Sequence, residues 1–150
     1  MTKTFRNILF SLLVISLVCG CATKQSQQYK KIDKYLTTHF KQYDPTAKNC
    51  VLVLNEQACL SCVREFAEVM QGFVNVPNKY IVICAGGSMV DISPFVNNTT
   101  ATNVYDDPKF SFTKEIYPTP AAIFMENDKI DTIVNISAYD LEKTLMFIKQ

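Results

Sequence analysis

The 150-residue chain has little excess charge of either sign. Lys and Arg number 15, Asp and Glu 14, and the formal net charge is +1 at pH 7. Without Lys3 and Arg6 of the N-terminal leader it becomes −1. Such a body has no overall field to draw in DNA or RNA phosphates, so no nucleic-acid partner is expected. A membrane-crossing run is also missing. Ile8 to Val18 is apolar but only eleven residues long, against the ~20 that a spanning helix needs. Histidine occurs once, at His39. A zinc site commonly takes four ligands from paired Cys-x-x-Cys or His motifs, and a second pair is absent, so no metal is expected. Apolar residues, by contrast, make up 48% and charged ones 19%. That composition excludes a disordered chain. The length beyond the leader suits one domain, which folds on its apolar core without a disulfide framework.

Lys3 and Arg6 ahead of the short apolar stretch read as a secretory signal over residues 1–20. The next residues, Val18-Cys19-Gly20-Cys21, resemble the bacterial lipobox: an aliphatic residue, two small ones, then Cys. Cys19 fills a slot more often held by Ala or Ser. The resemblance implies that Cys21 receives diacylglycerol on sulfur and becomes the mature N-terminus of a lipoprotein. The plain alternative is a cleaved signal with an incidental Cys. Each buried CH₂ of an acyl chain contributes about 0.8 kcal/mol, so two or three chains make a firm membrane anchor. Residues 21–28 are polar after Cys21 and read as a flexible tether to a domain spanning 29–150. The protein is then expected in the cell envelope, lipid-anchored on the extracytoplasmic, periplasmic side, where disulfides persist.

Along the domain, Ile32, Leu36, Phe40 and Tyr43 recur at helical spacing from Tyr29 to the Asp44-Pro45 stop. His39 lies beside this stripe with no Cys or carboxylate cluster near it, which points to a structural or surface role. Cys50–Leu54 and Lys79–Cys84 are short apolar runs, expected as buried parallel strands. Between them Val63, Phe66, Met70 and Phe73 mark one face of a helix from Cys59. Residues 88–103 carry no clear pattern, and 103–106 read as a short strand. Asp107-Pro108 is expected to open a helix through Glu115, with Asp107 as its N-cap. Ala121–Met125 and Ile130–Ile136 around Asn127-Asp128 read as a hairpin, followed by a last helix capped by Ser137. Parallel βαβ followed by antiparallel ββα predicts an α/β sandwich.

Cys59-Leu60-Ser61-Cys62 falls where a buried strand gives way to a helix. A helix N-terminus carries about half a positive charge and unpaired N–H groups, and both favour thiolate over thiol. Such sites lower a Cys pKa from about 8.5 to ~3.5–7.5. Cys59, at the exposed helix end, is the expected nucleophile on a substrate disulfide. Cys62, one turn on, is the expected resolving thiol. The competing readings are an inert buried pair and half of a zinc site. Arg64 is near enough in sequence to add positive potential, or is simply solvated. Cys50 and Cys84 lie at opposite ends of adjacent strands, too far apart to pair. Cys84 falls at the same sheet end as the motif, leaving open a role as a third thiol.

Two segments now resemble the thioredoxin-like superfamily, in particular its extracytoplasmic TlpA-like reductases. One is VLVLNEQACLSCVREF; the other runs from Thr119-Pro120 through Ile130. The resemblance covers roughly residues 48–150 and implies a three-layer α/β/α sandwich with a central mixed β-sheet. It also implies that Pro120 is a cis-proline facing the CxxC, with Pro118 the fallback. Thr119 would present backbone groups to a substrate strand. There are departures. The family usually has Trp before the first Cys; here Ala58 stands there and the chain has no Trp. Thioredoxin has a buried Asp six residues before the first Cys; here it is Val53. Glu56 is available for that proton-transfer role, or is a solvated loop charge.

The resulting expectation is a membrane-anchored thiol–disulfide oxidoreductase, a reductase by resemblance, acting on disulfides of exported proteins. It needs no diffusible cofactor beyond the redox-active Cys59–Cys62 disulfide, and draws electrons from a thiol donor embedded in the membrane. The alternative is a catalytically weak thioredoxin-like lipoprotein serving as a protein-binding module. Copper delivery in the manner of the related Sco proteins fits poorly, since that group uses CxxxC and a later His. The anchor has its own test: a palmitate label should enter the wild-type chain made in a bacterial host and be absent from Cys21→Ser. Equal labelling of both would exclude Cys21 as the acylated residue.

Overall fold

A computed structural model of the chain describes residues 24–137 and 141–149. The signal segment 1–20, Cys21 and the first residues of the tether lie outside the described residues. So do residues 138–140, between Ser137, the expected cap of the last helix, and the described part of that helix. The first described element is helix α1, residues 24–39. It takes in residues 24–28, which composition alone assigns to a tether. The reason is side-chain anchoring: Gln25 Nε2 donates to the Ile130 carbonyl at 2.7 Å, and the Tyr29 hydroxyl reaches Asp128 at 3.3 Å. Ile32, Leu36 and Phe40 are buried, as their spacing predicts.

Five strands form one mixed sheet. These are β1 (Asn49–Asn55), β2 (Lys79–Cys84), β3 (Val104–Asp106), β4 (Ala121–Glu126) and β5 (Lys129–Asn135), ordered β3-β2-β1-β4-β5. β1, β2 and β3 run parallel, whereas β4 is antiparallel to both β1 and β5. The helices that follow α1 are α2 (Leu60–Gln71), α3 (Ser93–Val96), α4 (Ser111–Glu115) and α5 (Leu141–Lys149). β1 is buried along its whole length because both of its faces are covered. Cys50, Leu52 and Leu54 point to one side, into a core with Val63, Phe66 and Met70 of α2 and Ile148 of α5. Val51 and Val53 point to the other, into a core with α1 and Phe112 of α4. The chain is therefore an α/β protein with helices on both faces of a mixed sheet, compatible with a thioredoxin-like α/β/α sandwich.

The β4–β5 turn is made by Asn127 and Asp128, both at positive φ (53° and 58°). That pair of left-handed residues is the type I′ geometry that fits strand twist, and Asn and Asp tolerate it well. α4 departs from its expected start. Asp107-Pro108 forms a turn instead, Phe110 adopts φ 58°, and the helix begins at Ser111. Asp107 still acts as a cap, since its carboxylate accepts from the Phe112 N–H at 2.8 Å. Phe147 of α5 is 47% exposed, with its ring edge-to-face with Phe124.

Asn103, which precedes β3, fastens the irregular segment between β2 and β3. It is buried; its Nδ2 donates to the carbonyls of Phe73 (2.8 Å) and Lys79 (2.7 Å), and its Oδ1 accepts from the Asn75 N–H (2.7 Å). Asn103→Ala strands those buried groups together, and the expected loss is about 2–4 kcal/mol of unfolding free energy. Urea denaturation would measure it; a loss below about 1 kcal/mol would mean that water replaces the amide.

Candidate functional site

β1 delivers the chain to the site. It ends at Asn55, a four-residue loop follows, and Cys59 is the N-cap residue of α2. Its carbonyl accepts from the Val63 N–H at 3.0 Å, while its side chain is exposed. Cys62, one turn on, is 1% exposed and belongs to the core beneath α2. The two sulfurs are 2.7 Å apart and unbonded, with the Cys62 thiol donating to Cys59. The Ser61 hydroxyl lies 3.4 Å from the Cys59 sulfur on the other side.

This arrangement splits the two thiols electrostatically. The hydrogen bond from Cys62 brings the pKa of Cys59 down to about 7, with further help from the Ser61 hydroxyl and the Cys62 main-chain N–H. Cys62 moves upward, because its proton is held by Cys59 and because it is buried. Near neutral pH one exposed sulfur is thus substantially anionic and its buried neighbour keeps its proton. Arg64 takes no part. Its Nε donates to the Met89 carbonyl at 3.2 Å, fastening α2 to the loop after β2.

Two side chains ahead of the motif organise the loops around it. Asn55 is buried; its Nδ2 donates to the Pro118 carbonyl at 2.7 Å and its Oδ1 accepts from the Gln57 N–H at 3.1 Å. This ties the approach to Cys59 onto the loop that enters β4. Glu56 binds the loop after β2: its Oε1 accepts from the Gly86 N–H at 2.6 Å. A Cβ on Gly86 would sit 3.1 Å from that oxygen, so the close approach requires glycine or movement of Glu56. The other oxygen, Oε2, is buried without a hydrogen-bond partner.

Pro120 precedes β4 on the same side of β1, since Val53 and Ala121 are register partners. Among the described residues no peptide bond is cis, so Thr119–Pro120 is trans and the expected cis-proline is corrected; the fallback, Pro118, is trans as well. X–Pro bonds favour trans by about 0.5–1 kcal/mol. The trans loop is fastened on both sides, by Asn55 to the Pro118 carbonyl and by the Ile136 N–H to the Pro120 carbonyl (2.9 Å). Thr119 is exposed, and its hydroxyl donates to Asn135 Oδ1 at 3.0 Å.

The remaining thiols stand apart. Register places Cys50 opposite Lys79 and Cys84 opposite Asn55, at the two ends of the strand pair. Burial pushes Cys50 up to about 12. Cys84 is pushed up to about 12 by burial and by the charge of Asp107, whose carboxylate lies 3.7 Å from its sulfur. It packs with α1 and α4, on the face of the sheet away from Cys62. His39 stacks on Tyr105 with ring centroids 3.9 Å apart, a packing role. Among the described residues no three His, Cys, Asp or Glu side chains cluster as metal ligands, and no helix is long and apolar enough to cross a membrane.

Fold and site together define a class in physical terms: an α/β domain that presents an asymmetric vicinal dithiol where its central strand meets a helix. No protein-family model, no curated protein and no solved structure matches the chain. Asn55 is the one site residue that the sequence pattern does not reveal. Its only signal is a polar amide closing an otherwise apolar strand.

The thiolate is the species that alkylates. The rate of iodoacetamide capture by Cys59 should therefore rise with pH through a midpoint near 7, with Cys62, Cys50 and Cys84 far slower. Cys62→Ala removes the donated proton, so the Cys59 midpoint should move upward and capture at neutral pH should slow. An unmoved midpoint would assign the acidity to the helix end alone.

Proposed function

We propose that the protein is a thiol–disulfide oxidoreductase of the thioredoxin-like kind, anchored to the extracytoplasmic face of a membrane through Cys21 and acting as a reductase on exported proteins. The observation that carries this reading is the unequal pair: an exposed Cys59 with a lowered pKa, 2.7 Å from a buried, protonated Cys62.

In the proposed cycle the Cys59 thiolate attacks one sulfur of a substrate disulfide. A mixed disulfide forms, and the other substrate sulfur leaves as a thiolate. Cys62 then gives up its proton and attacks the Cys59 sulfur. The Cys59–Cys62 disulfide forms and the second substrate thiolate departs, so the substrate gains two electrons and the protein loses them. A thiol donor, taken to be membrane-embedded, reduces the pair again. Glu56 is the carboxylate assigned to the Cys62 proton. Its unpartnered, buried oxygen favours this role. Thr119, exposed on the loop tied to Asn55, offers its main chain to an extended substrate segment.

Insulin reduction with dithiothreitol as donor tests the enzyme. Cys59→Ser should abolish the activity above background, and Cys62→Ser should accumulate mixed disulfides on Cys59 that identify the clients. Glu56→Gln should slow turnover several-fold while leaving alkylation of Cys59 unchanged. Wild-type activity no greater than that of Cys59→Ser would instead favour a binding module that docks partners on the Thr119 loop without turning them over.

A further inference from the structure

The near-zero net charge hides a strong separation. Residues 24–41 carry five lysines against one acid, Asp33, a net of +4; residues 42–150 carry eight basic and thirteen acidic side chains, a net of −5. The structure puts the positive part on one surface. Lys24, Lys30, Lys31 and Lys34 of α1 and Lys41 just past its end are all exposed, while Ile32, Leu36 and Phe40 hold the opposite face of the helix in the core. Asp33 is engaged by the Tyr43 hydroxyl at 2.9 Å, and the ion pair found among the described residues, Lys48–Glu126, does not involve these lysines. The Lys31 ammonium donates to the Glu115 main-chain carbonyl at 3.2 Å, which leaves its charge unneutralised. Beside these lysines a cavity of about 270 Å³ opens between α1 and α4, lined by Lys31, Lys34, Thr38, His39 and the single carboxylate Glu115.

We propose that this lysine face of α1, with the cavity beside Lys31 and Lys34, binds the anionic headgroups of a phospholipid membrane surface. The charge pattern fits such a partner. A negative plane attracts the α1 side and repels the rest of the domain, so it orients the molecule as well as holding it. Position fits too. Helix is described from residue 24, three residues past Cys21, so a lipid on that sulfur would keep the start of α1 within about 10 Å of the headgroups. That is about one Debye length at 0.1 M salt, within which basic side chains are drawn to an anionic surface. In this orientation α1 lies toward the lipid and the layer of α2 and α5, on the far face of the sheet, lies away from it. The argument from position rests on the anchor reading; the charge separation does not.

The test uses the full chain with vesicles of phosphatidylcholine alone or mixed with phosphatidylglycerol, and reads lysine acetylation by mass spectrometry. In the mixed vesicles Lys30, Lys31, Lys34 and Lys41 should acetylate about fivefold more slowly relative to Lys79, which lies over Phe73 and Phe124 on the α2 side of the sheet, and raised salt should remove the difference. In phosphatidylcholine alone the ratio should equal that of the free protein. Equal ratios in both vesicle types, or slowing that salt leaves in place, would overturn the proposal. Lys30→Glu with Lys34→Glu, both exposed and so expected to keep the fold by circular dichroism, should lose the protection; protection that survives the double change would also overturn it. No arm reads thiol chemistry, so failure here leaves the insulin result standing, and the reverse holds as well. A chain without an anchor would sediment with the mixed vesicles alone and still show the protection.

Discussion

A single proton shared unequally between two sulfurs governs this molecule's chemistry. Cys62 lies in the core and Cys59 in solvent, so the two thiols could not be equivalent even in isolation. Their contact at 2.7 Å turns that difference in surroundings into a difference in charge. The buried sulfur keeps the proton because burial disfavours its anion, and by keeping it becomes the donor that stabilises its neighbour's anion. The two shifts are one interaction seen from each end. Either sulfur's titration is therefore a property of the pair.

The fold holds that contact at an exposed edge. β1 is buried on both faces, and a slip of one residue would move every side chain from the core it fits into the opposite one. α2 is fixed by Val63, Phe66 and Met70 in the core, so the helix start has one available position. Between these two rigid elements only residues 56–59 are irregular, and the loops beside them are fastened by Asn55 and Glu56. The polar residues that close β1 thus bridge its exit to two other loops, one from Asn55 to Pro118 and one from Glu56 to Gly86. Each bond joins segments far apart in sequence.

That distance in sequence explains what could and could not be read from the residues. The strands, α2, the hairpin turn and the CxxC were all legible, because each is a local pattern of apolar spacing or turn chemistry. The continuation of α1 into residues 24–28 was not. Its glutamines are polar, and the partner that orders Gln25, the Ile130 carbonyl, lies 105 residues away. α3 was hidden for a similar reason. It is only four residues long, with Phe95 as its buried residue and Asp91 accepting from the Ser93 N–H as its start signal. The trans state of Pro120 lay beyond the residues too. X–Pro isomers differ by about 0.5–1 kcal/mol, so the anchoring on either side decides between them. The family resemblance supplied an isomer that this loop does not adopt.

The placement of carboxylates also separates the chemistry from the scaffold. Among the described residues the buried acid is Asp107, on the α1 side of the sheet. Burial pushes its pKa up, but the Phe112 and Ser111 N–H groups and the Tyr35 hydroxyl more than offset this and hold it below the usual range. It is thereby committed as an anion to joining α1, β3 and α4, and is unsuited to exchanging protons near neutral pH. Its charge also raises Cys84 beside it, which keeps that thiol inert. On the other side of the sheet the space under Cys62 is filled by apolar groups, with Val53 turned away from it. In the proposed cycle a proton leaving Cys62 meets no carboxylate in the core beneath it among the described residues, and the nearby loop edge holds Glu56, with one oxygen free of any partner.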